Sequence, residues 1–299
     1  MSVRKKIAGT LLYRFGFRDA KLTVFEWLGI GFLCFIALIY LYPLIWMCDS
    51  SFRPMFEIFN VPPALFQKPI WQSVQSYSVS SYVSAFTTHN VGLAFFMSIF
   101  VTCAGIALTL LVCSLCAYGF VYMDFPGRKI LFMVILGTMM LPMATMIAPA
   151  YRVISKLGLV NNPLGIILPY AMSAFGVFLL RQFYIRIPFS IVESARVDGA
   201  GHLKIWWNII LPLSRPALAA LAIVQFRVIW NDFLMPMIVL RSEHFFTLPI
   251  RILLIDSINF NKPYDVIITA GFITALVPMI VFLIFQRHFI EGLTGGVKE

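Results

Sequence analysis

The segment that decides the fold runs from Ile187 to Pro216 and reads IPFSIVESARVDGAGHLKIWWNIILPLSRP. Ser190 is followed three residues later by Glu193, the spacing of a capping box, in which a hydroxyl and a carboxylate satisfy the first backbone amides of a helix. This spacing predicts that a helix begins at Ser190. Gly199 and Gly201 predict its end, because glycine takes the positive φ that a sharp helix stop requires.

A second helix is predicted from His202 to Ile210. Pro212 and Pro216 should end it, because proline lacks the backbone amide that a helix interior needs. The whole segment is therefore predicted to fold as helix, turn, helix. Two interpretations fit these residues equally well: an ordered element that contacts a partner, and an amphipathic hairpin that only joins its two neighbours.

The composition of the chain around this segment is that of a membrane protein. Of 299 residues, 60% are hydrophobic and 12% are charged, against about 45–50% and about 25% in ordinary soluble domains. Apolar side chains in such excess would leave large exposed patches on a water-soluble globule. The same figures exclude a disordered chain and a disulfide-stapled secreted module. The net charge of +10 then indicates orientation in the membrane, and no nucleic acid is expected as a partner.

Six stretches are apolar and long enough to cross a hydrocarbon layer of roughly 30 Å, which takes about 20 helical residues. The predicted spans are Val24–Met47, Val91–Val121, Ile130–Ala148, Gly165–Leu180, Ala217–Leu240 and Val266–Phe285. An even number of spans places both termini on the same side of the membrane.

The distribution of Lys and Arg predicts which side that is. Fifteen of these residues lie in the N-terminal arm, the connections after the second and fourth spans, and the C-terminal tail. The opposite side carries seven, and Arg227 falls inside the fifth span. Because cytoplasmic loops are enriched in Lys and Arg, both termini and the connection 181–216 are predicted to be cytoplasmic. Residues 1–23 form a cytoplasmic arm and not a cleavable signal, since no small-residue cleavage site follows the first apolar run.

The cytoplasmic segment resembles the EAA motif of permease subunits of binding-protein-dependent ABC importers. The matching residues are Glu193, Ala195, Asp198, Gly199, Ala200, Ile209, Leu211 and Pro212, with Ser194 where the family usually has a second alanine. Further matches extend over most of residues 24–299, among them Trp230-Asn231-Asp232-Phe233. The Asp-Gly-Ala version of the motif is similar to the carbohydrate uptake branch, which includes the second permeases of maltose, glycerol-3-phosphate and oligosaccharide importers.

The resemblance implies an all-α membrane protein with six transmembrane helices and the type I ABC importer permease (MetI-like) fold over residues 24–299. It also implies that the segment 188–216 docks on a separate ATPase, whose closure on ATP rocks a permease pair between inward-open and outward-open states. The residues that it assigns to this coupling are Glu193, Ala195, Asp198, Gly199, Ala200, Leu211 and Pro212. The implied partners are a second, related permease, two ATPase subunits, an extracytoplasmic solute-binding protein and the lipid of a prokaryotic inner membrane.

The chain has no G-x-x-x-x-G-K-[ST] phosphate loop, so we expect it not to hydrolyse ATP, and we expect ATP and Mg to bind to the partner ATPase. No catalytic triad, paired carboxylates or metal-ligand spacing is visible, so no catalytic residue, metal or bound cofactor is predicted. Two alternatives stay open. A secondary transporter would show inverted repeats and mid-membrane carboxylates, whereas a purely structural membrane subunit would need no ordered helix-turn-helix.

Polar side chains in the fifth span are the candidates for a translocation path, because such groups are costly in lipid. Arg227 is predicted near mid-membrane, with Asn231 one turn further on the same face. The complete set of predicted path residues is Arg227, Trp230, Asn231 and Asp232. Two interpretations of Arg227 stay open: it faces the cavity and contacts a sugar hydroxyl or an anionic group, or it pairs with a carboxylate or carbonyls on a helix of the partner permease.

Overall fold

The computed structural model describes residues 24–59, 77–258 and 262–294, and every regular element in these ranges is helical. The predicted arm, residues 1–23, lies outside them. The α-helices are α1 Val24–Ser51, α2 Met55–Ile58, α3 Ser80–Thr87, α4 Val91–Tyr122, α5 Arg128–Thr138, α6 Met143–Lys156, α7 Leu164–Ile167, α8 Ala174–Tyr184, α9 Phe189–Val197, α10 His202–Ile205, α11 Leu211–Leu213, α12 Arg215–Trp230, α13 Leu234–Val239, α14 Leu248–Ile258 and α15 Tyr264–Thr294. A π-helical turn, Trp206–Ile210, joins α10 to α11.

The chain divides between Asp49 and Ser50 into two units. The described part of the first unit is residues 24–49, which belong to the apolar helix α1. Within the described residues, four helical stretches are long and apolar enough to cross a membrane, namely α1, α4, residues 164–184 and α15. Two bent helix pairs raise that number to six if each pair is one span.

The third predicted span, Ile130–Ala148, is not one continuous helix. The chain leaves α5 at Thr138 and enters α6 at Met143, and the two helices meet at 109°. Pro142 stands at the N-cap of α6 in an extended conformation, with ψ of 134°. Because proline has no amide to donate and its ring excludes the preceding turn, the helix stops and restarts there.

The fifth predicted span, Ala217–Leu240, is broken as well. Helix α12 ends at Trp230 and α13 begins at Leu234. In the break, the Asp232 carboxylate accepts a hydrogen bond from the amide of Leu234 at 3.1 Å, so a side chain satisfies the start of α13. The N-terminal end of α12 is also bent, by 79°, from the helical stretch His202–Leu213.

Helix α4 is the centre of the second unit and packs against α8, α12 and α14. Glycines permit two of these close approaches. An added Cβ on Gly176 of α8 would lie 3.0 Å from the sulfur of Cys113, and one on Gly105 would lie 2.8 Å from Cδ1 of Ile229 on α12. The small residues of the spans therefore serve helix packing at these positions.

Candidate coupling segment and translocation path

Residues 188–216 are called the coupling segment, after their predicted role. The first helix of this segment, α9, begins at Phe189, one residue earlier than predicted. Pro188 occupies the N-cap in an extended conformation, and no side chain caps the helix. The predicted capping box is therefore wrong, because the proline places Ser190 inside the first turn. Ser194, at the position of the family's alanine, donates its hydroxyl to the carbonyl of Ser190 at 2.8 Å and so adds no free polar group to the helix surface.

The predicted end of this helix at Gly199 is confirmed. Gly199 has a φ of +76°, its amide donates to Arg196 O at 2.9 Å, and the amide of Ala200 donates to Ala195 O at 2.9 Å. These two bonds form a Schellman motif, which needs a left-handed residue at the glycine position. Gly201, by contrast, has an ordinary φ of −68° as N-cap of α10, so its predicted role in the turn is wrong.

The second helix of the segment extends beyond its predicted end at Ile210. It continues through the π turn and α11 to Leu213. Pro212 lies in the last turn of this helix, which ends one residue later at Leu213. In the π turn, the amide of Leu211 bonds to Trp206 O, five residues back, and Ile205 and Ile210 are both completely buried.

Polar contacts fasten both helices of the segment to the end of α4. The Arg196 guanidinium donates to the carbonyl of Tyr122 at 2.7 Å, and the Tyr118 hydroxyl lies 3.1 Å from Nδ1 of His202. The Tyr122 hydroxyl in turn donates to Tyr184 O at 2.9 Å. These partners are 62 to 84 residues apart, so sequence reasoning missed them. The only signal was the pair of tyrosines at the end of an otherwise apolar span.

Some of the predicted coupling residues are partly buried against the core, and the others are exposed. Ala195, Ala200 and Leu211 pack against the core cluster that contains Tyr118 and Val192. Exposed positions are Glu193, Asp198, Gly199 and Pro212. Two apolar side chains accompany them, since Val197 is 88% exposed and Leu203 is 72% exposed. The segment therefore presents acidic and apolar groups together on a surface whose back is fixed.

The predicted path residues lie in the last turn of α12 and in the break after it, and they have different surroundings. Trp230 is buried, donates its indole N–H to Thr274 O at 3.2 Å and stacks on Phe226, so it packs α12 onto α15. Asn231 is exposed, and its side-chain amide donates to the carbonyl of Arg227 at 2.8 Å.

The two charged path residues line different cavities. Asp232 accepts a hydrogen bond from the Tyr170 hydroxyl, and both residues line a cavity of about 230 Å³ together with Met143 and Met146. Arg227 lines a second cavity, of about 370 Å³, between α12 and α15.

A polar clamp holds the connection that follows α13. Asn161 has a φ of +60°, its side-chain oxygen accepts from the amides of Arg241 and Ser242 at 3.0 and 2.8 Å, and its side-chain nitrogen donates to Ser242 Oγ at 2.7 Å. Its own amide donates to Val239 O at 2.8 Å. One side chain thus fixes the turn after α6 to the chain leaving α13, a role that sequence reasoning did not assign.

Comparison with known proteins agrees with this architecture. Residues 109–294 match the family described as "Binding-protein-dependent transport system inner membrane component". The chain is 35% identical to the arabinooligosaccharides transport system permease protein AraQ of Halalkalibacterium halodurans, over 92% of this chain and 97% of the relative. It is 32% identical to the sn-glycerol-3-phosphate transport system permease protein UgpE of Yersinia enterocolitica, over 90% and 98% respectively.

A solved structure matches as well, that of a bacterial ABC transporter involved in the import of the acidic polysaccharide alginate. The TM-score is 0.78 at 25% identity, and the match covers 91% of this chain and 99% of that one. These findings confirm the predicted all-α, MetI-like fold and decide against a secondary transporter and against a purely structural membrane subunit. The chain belongs to the family of binding-protein-dependent transport system inner membrane components and is a permease subunit of an ABC importer.

Proposed function

We propose that this permease forms half of the translocation path for a sugar, an oligosaccharide or a sugar derivative. The relatives' names support this class, because they specify arabino-oligosaccharides, glycerol 3-phosphate and alginate. The working complex in this proposal contains a second, related permease, two ATPase subunits and an extracytoplasmic solute-binding protein. Both termini lie in the cytoplasm, and the chain itself binds neither ATP nor Mg.

The observation that carries the proposal is that the segment 188–216 has one side attached to the core and the other side exposed. Its back is held by Arg196 and by buried Val192, whereas Glu193, Asp198 and the exposed Val197 point away from the core. A segment that only joined two spans would not need contacts that fix one of its sides to the core. In our proposal the exposed side docks on the ATPase, and the polar contacts to α4 carry the resulting movement into the membrane helices.

We further propose that the break after α12 borders the path. Arg227, Asn231 and Asp232 supply its polar groups, and Trp230 supports them from behind through α15. The sharp bend at Pro142 brings Met143 and Met146 to the Asp232 cavity. Flexible, apolar methionine side chains adapt to ligands of different shape, which suits a path that releases what it binds.

The test is purification of the tagged chain from its native membrane in mild detergent, followed by reconstitution in vesicles. We expect an ATPase chain and a second permease to co-purify, and we expect ATP-dependent uptake of a carbohydrate once the solute-binding protein is added. Uptake driven by an ion gradient without ATP would contradict the proposal, as would co-purification without any ATPase chain.

A further inference from the structure

We infer that Arg227 selects anionic carbohydrates, by binding a carboxylate or phosphate of the transported molecule in the cavity between α12 and α15. The inference rests on the proposed function, because it names the substrate class of the same path. Arg227 is twelve residues beyond Arg215, where α12 begins, or about 18 Å along the helix at about 1.5 Å per residue. It is also one turn before the break at Asn231.

The cavity has room for a ligand and places one charge among apolar walls. Its volume of about 370 Å³ lies within the range of roughly 300–1,000 Å³ that is usual for small-molecule sites. Apart from Arg227, the side chains that line it are all apolar: Ile223, Val224, Phe226, Pro278, Val281 and Phe282. Arg227 is itself exposed, and a charge on the surface of a membrane-spanning helix is costly unless an anion neutralises it.

The carboxylate closest in sequence is already engaged. Asp232 accepts hydrogen bonds from the Tyr170 hydroxyl and the Leu234 amide, and it lines the other cavity. Among residues 27–59, 77–256 and 262–285, whose side chains the structure describes, no acidic side chain forms an ion pair with Arg227. The hydrogen bond from Asn231 goes to the backbone carbonyl of Arg227 and leaves its guanidinium available.

The shape of the guanidinium decides which ligand gains most from it. Its planar fork matches the two oxygens of a carboxylate or phosphate, and such charge-assisted pairs are roughly twice as strong as neutral hydrogen bonds. A neutral sugar offers uncharged hydroxyls, which do not neutralise the charge. The cavity therefore favours uronic acids and sugar phosphates over neutral sugars of the same size.

The experiment uses the complete complex in vesicles with matched pairs of probes, galactotriose against tri-galacturonate and glucose against glucose 6-phosphate. Uptake is measured from the ligand-loaded solute-binding protein, so that differences between variants report on the permease. We expect wild type to take up at least one anionic probe. Arg227→Met should slow that uptake about tenfold or more while sparing neutral probes, because one charge-assisted pair is lost. Arg227→Lys should lie between the two.

Lys156→Met is the matched control, since it removes an exposed basic residue at the end of α6, away from the cavity. Uptake of the anionic probe should be unchanged in this variant. Equal slowing of neutral and anionic probes in Arg227→Met would overturn the inference. So would failure of both Arg227 variants to assemble with the second permease, because Arg227 would then pair with protein. Wild-type uptake of neutral probes alone overturns the inference and leaves the proposed function intact, whereas uptake of none contradicts the proposed function itself.

Discussion

Two turns hold the same left-handed backbone by different means. At the end of α9, Gly199 has a φ of +76°, and an added Cβ would meet nothing within 4 Å. After α6, Asn161 has a φ of +60° and makes three side-chain hydrogen bonds, to Arg241 and Ser242. The turn at Gly199 depends on the absence of a side chain, whereas the turn at Asn161 depends on the hydrogen bonds of its side chain. A substitution at the first changes backbone shape at an exposed surface, and one at the second disconnects two parts of the chain.

The largest effect is expected from Gly199→Val. A β-branched residue is strongly disfavoured at this φ, so the Schellman turn should open and move the exposed side of α9. We expect normal membrane insertion and the loss of both uptake and transport-coupled ATP hydrolysis in reconstituted vesicles. Gly201→Ala is the matched control, because Gly201 has an ordinary φ and open space around it. Normal uptake by the Gly199→Val variant would show that this turn has no part in coupling.

The second effect is a loss of stability in Asn161→Ala. Removing three hydrogen bonds and leaving a non-glycine residue at positive φ should destabilise the unit by about 2–4 kcal/mol. The thermal inactivation midpoint of the detergent-purified complex measures this. Asn161→Gly removes the same bonds but relieves the backbone, so its midpoint should lie between those of wild type and the alanine variant. Identical midpoints for the Ala and Gly variants would mean that backbone strain contributes nothing.

A smaller effect is expected from Arg196→Gln at the back of the coupling segment. It removes the 2.7 Å bond to Tyr122 O, and a charge-assisted hydrogen bond of this kind contributes about 1–2 kcal/mol. We expect a modest fall in the inactivation midpoint together with weaker stimulation of ATP hydrolysis by the loaded solute-binding protein. Full stimulation in the variant would indicate that movement reaches α4 by another route.

The smallest effect is expected from Tyr118→Phe. The change removes one hydroxyl, 3.1 Å from Nδ1 of His202, and leaves the ring packing intact. A cost of about 0.5–1.5 kcal/mol in stability follows, because the hydroxyl also interacts with the Arg196 side chain. His202→Ala in the same background should then add no further hydrogen-bond loss, and a double-mutant cycle of inactivation midpoints tests that. Strict additivity of the two changes would show that the contact is not made.

The apolar pattern of the sequence was sufficient for the uninterrupted spans. The helices α1, α4 and α15 each contain a predicted span, because continuous hydrophobicity over about 20 residues admits few other structures. The breaks were not predicted from the same pattern. The break at Pro142 interrupts a stretch that is apolar throughout, and the end of α12 at Trp230 depends on how Asp232 meets Tyr170, 62 residues away.

The coupling segment shows the same division between local and distant information. The stop at Gly199 follows from a glycine requirement that acts within six residues, and it was correct. The capping box at Ser190 and Glu193 was wrong because Pro188, two residues earlier, starts the helix first. The attachment through Arg196 has no local signature, since its acceptor is a backbone carbonyl that could belong to any residue.

The π turn at Trp206–Ile210 changes how this part of the chain must be compared with other sequences. Residues five apart fall about 140° out of phase on an α-helix, yet Ile205 and Ile210 are both fully buried because the wider turn realigns them. A search for helical periodicity would therefore assign the wrong buried face to residues 202–213. A sequence alignment with a one-residue gap inside residues 206–210 would shift every coupling position before the gap by one residue. Residues such as Gly199 are therefore matched correctly to a relative only if the π turn is aligned without a gap.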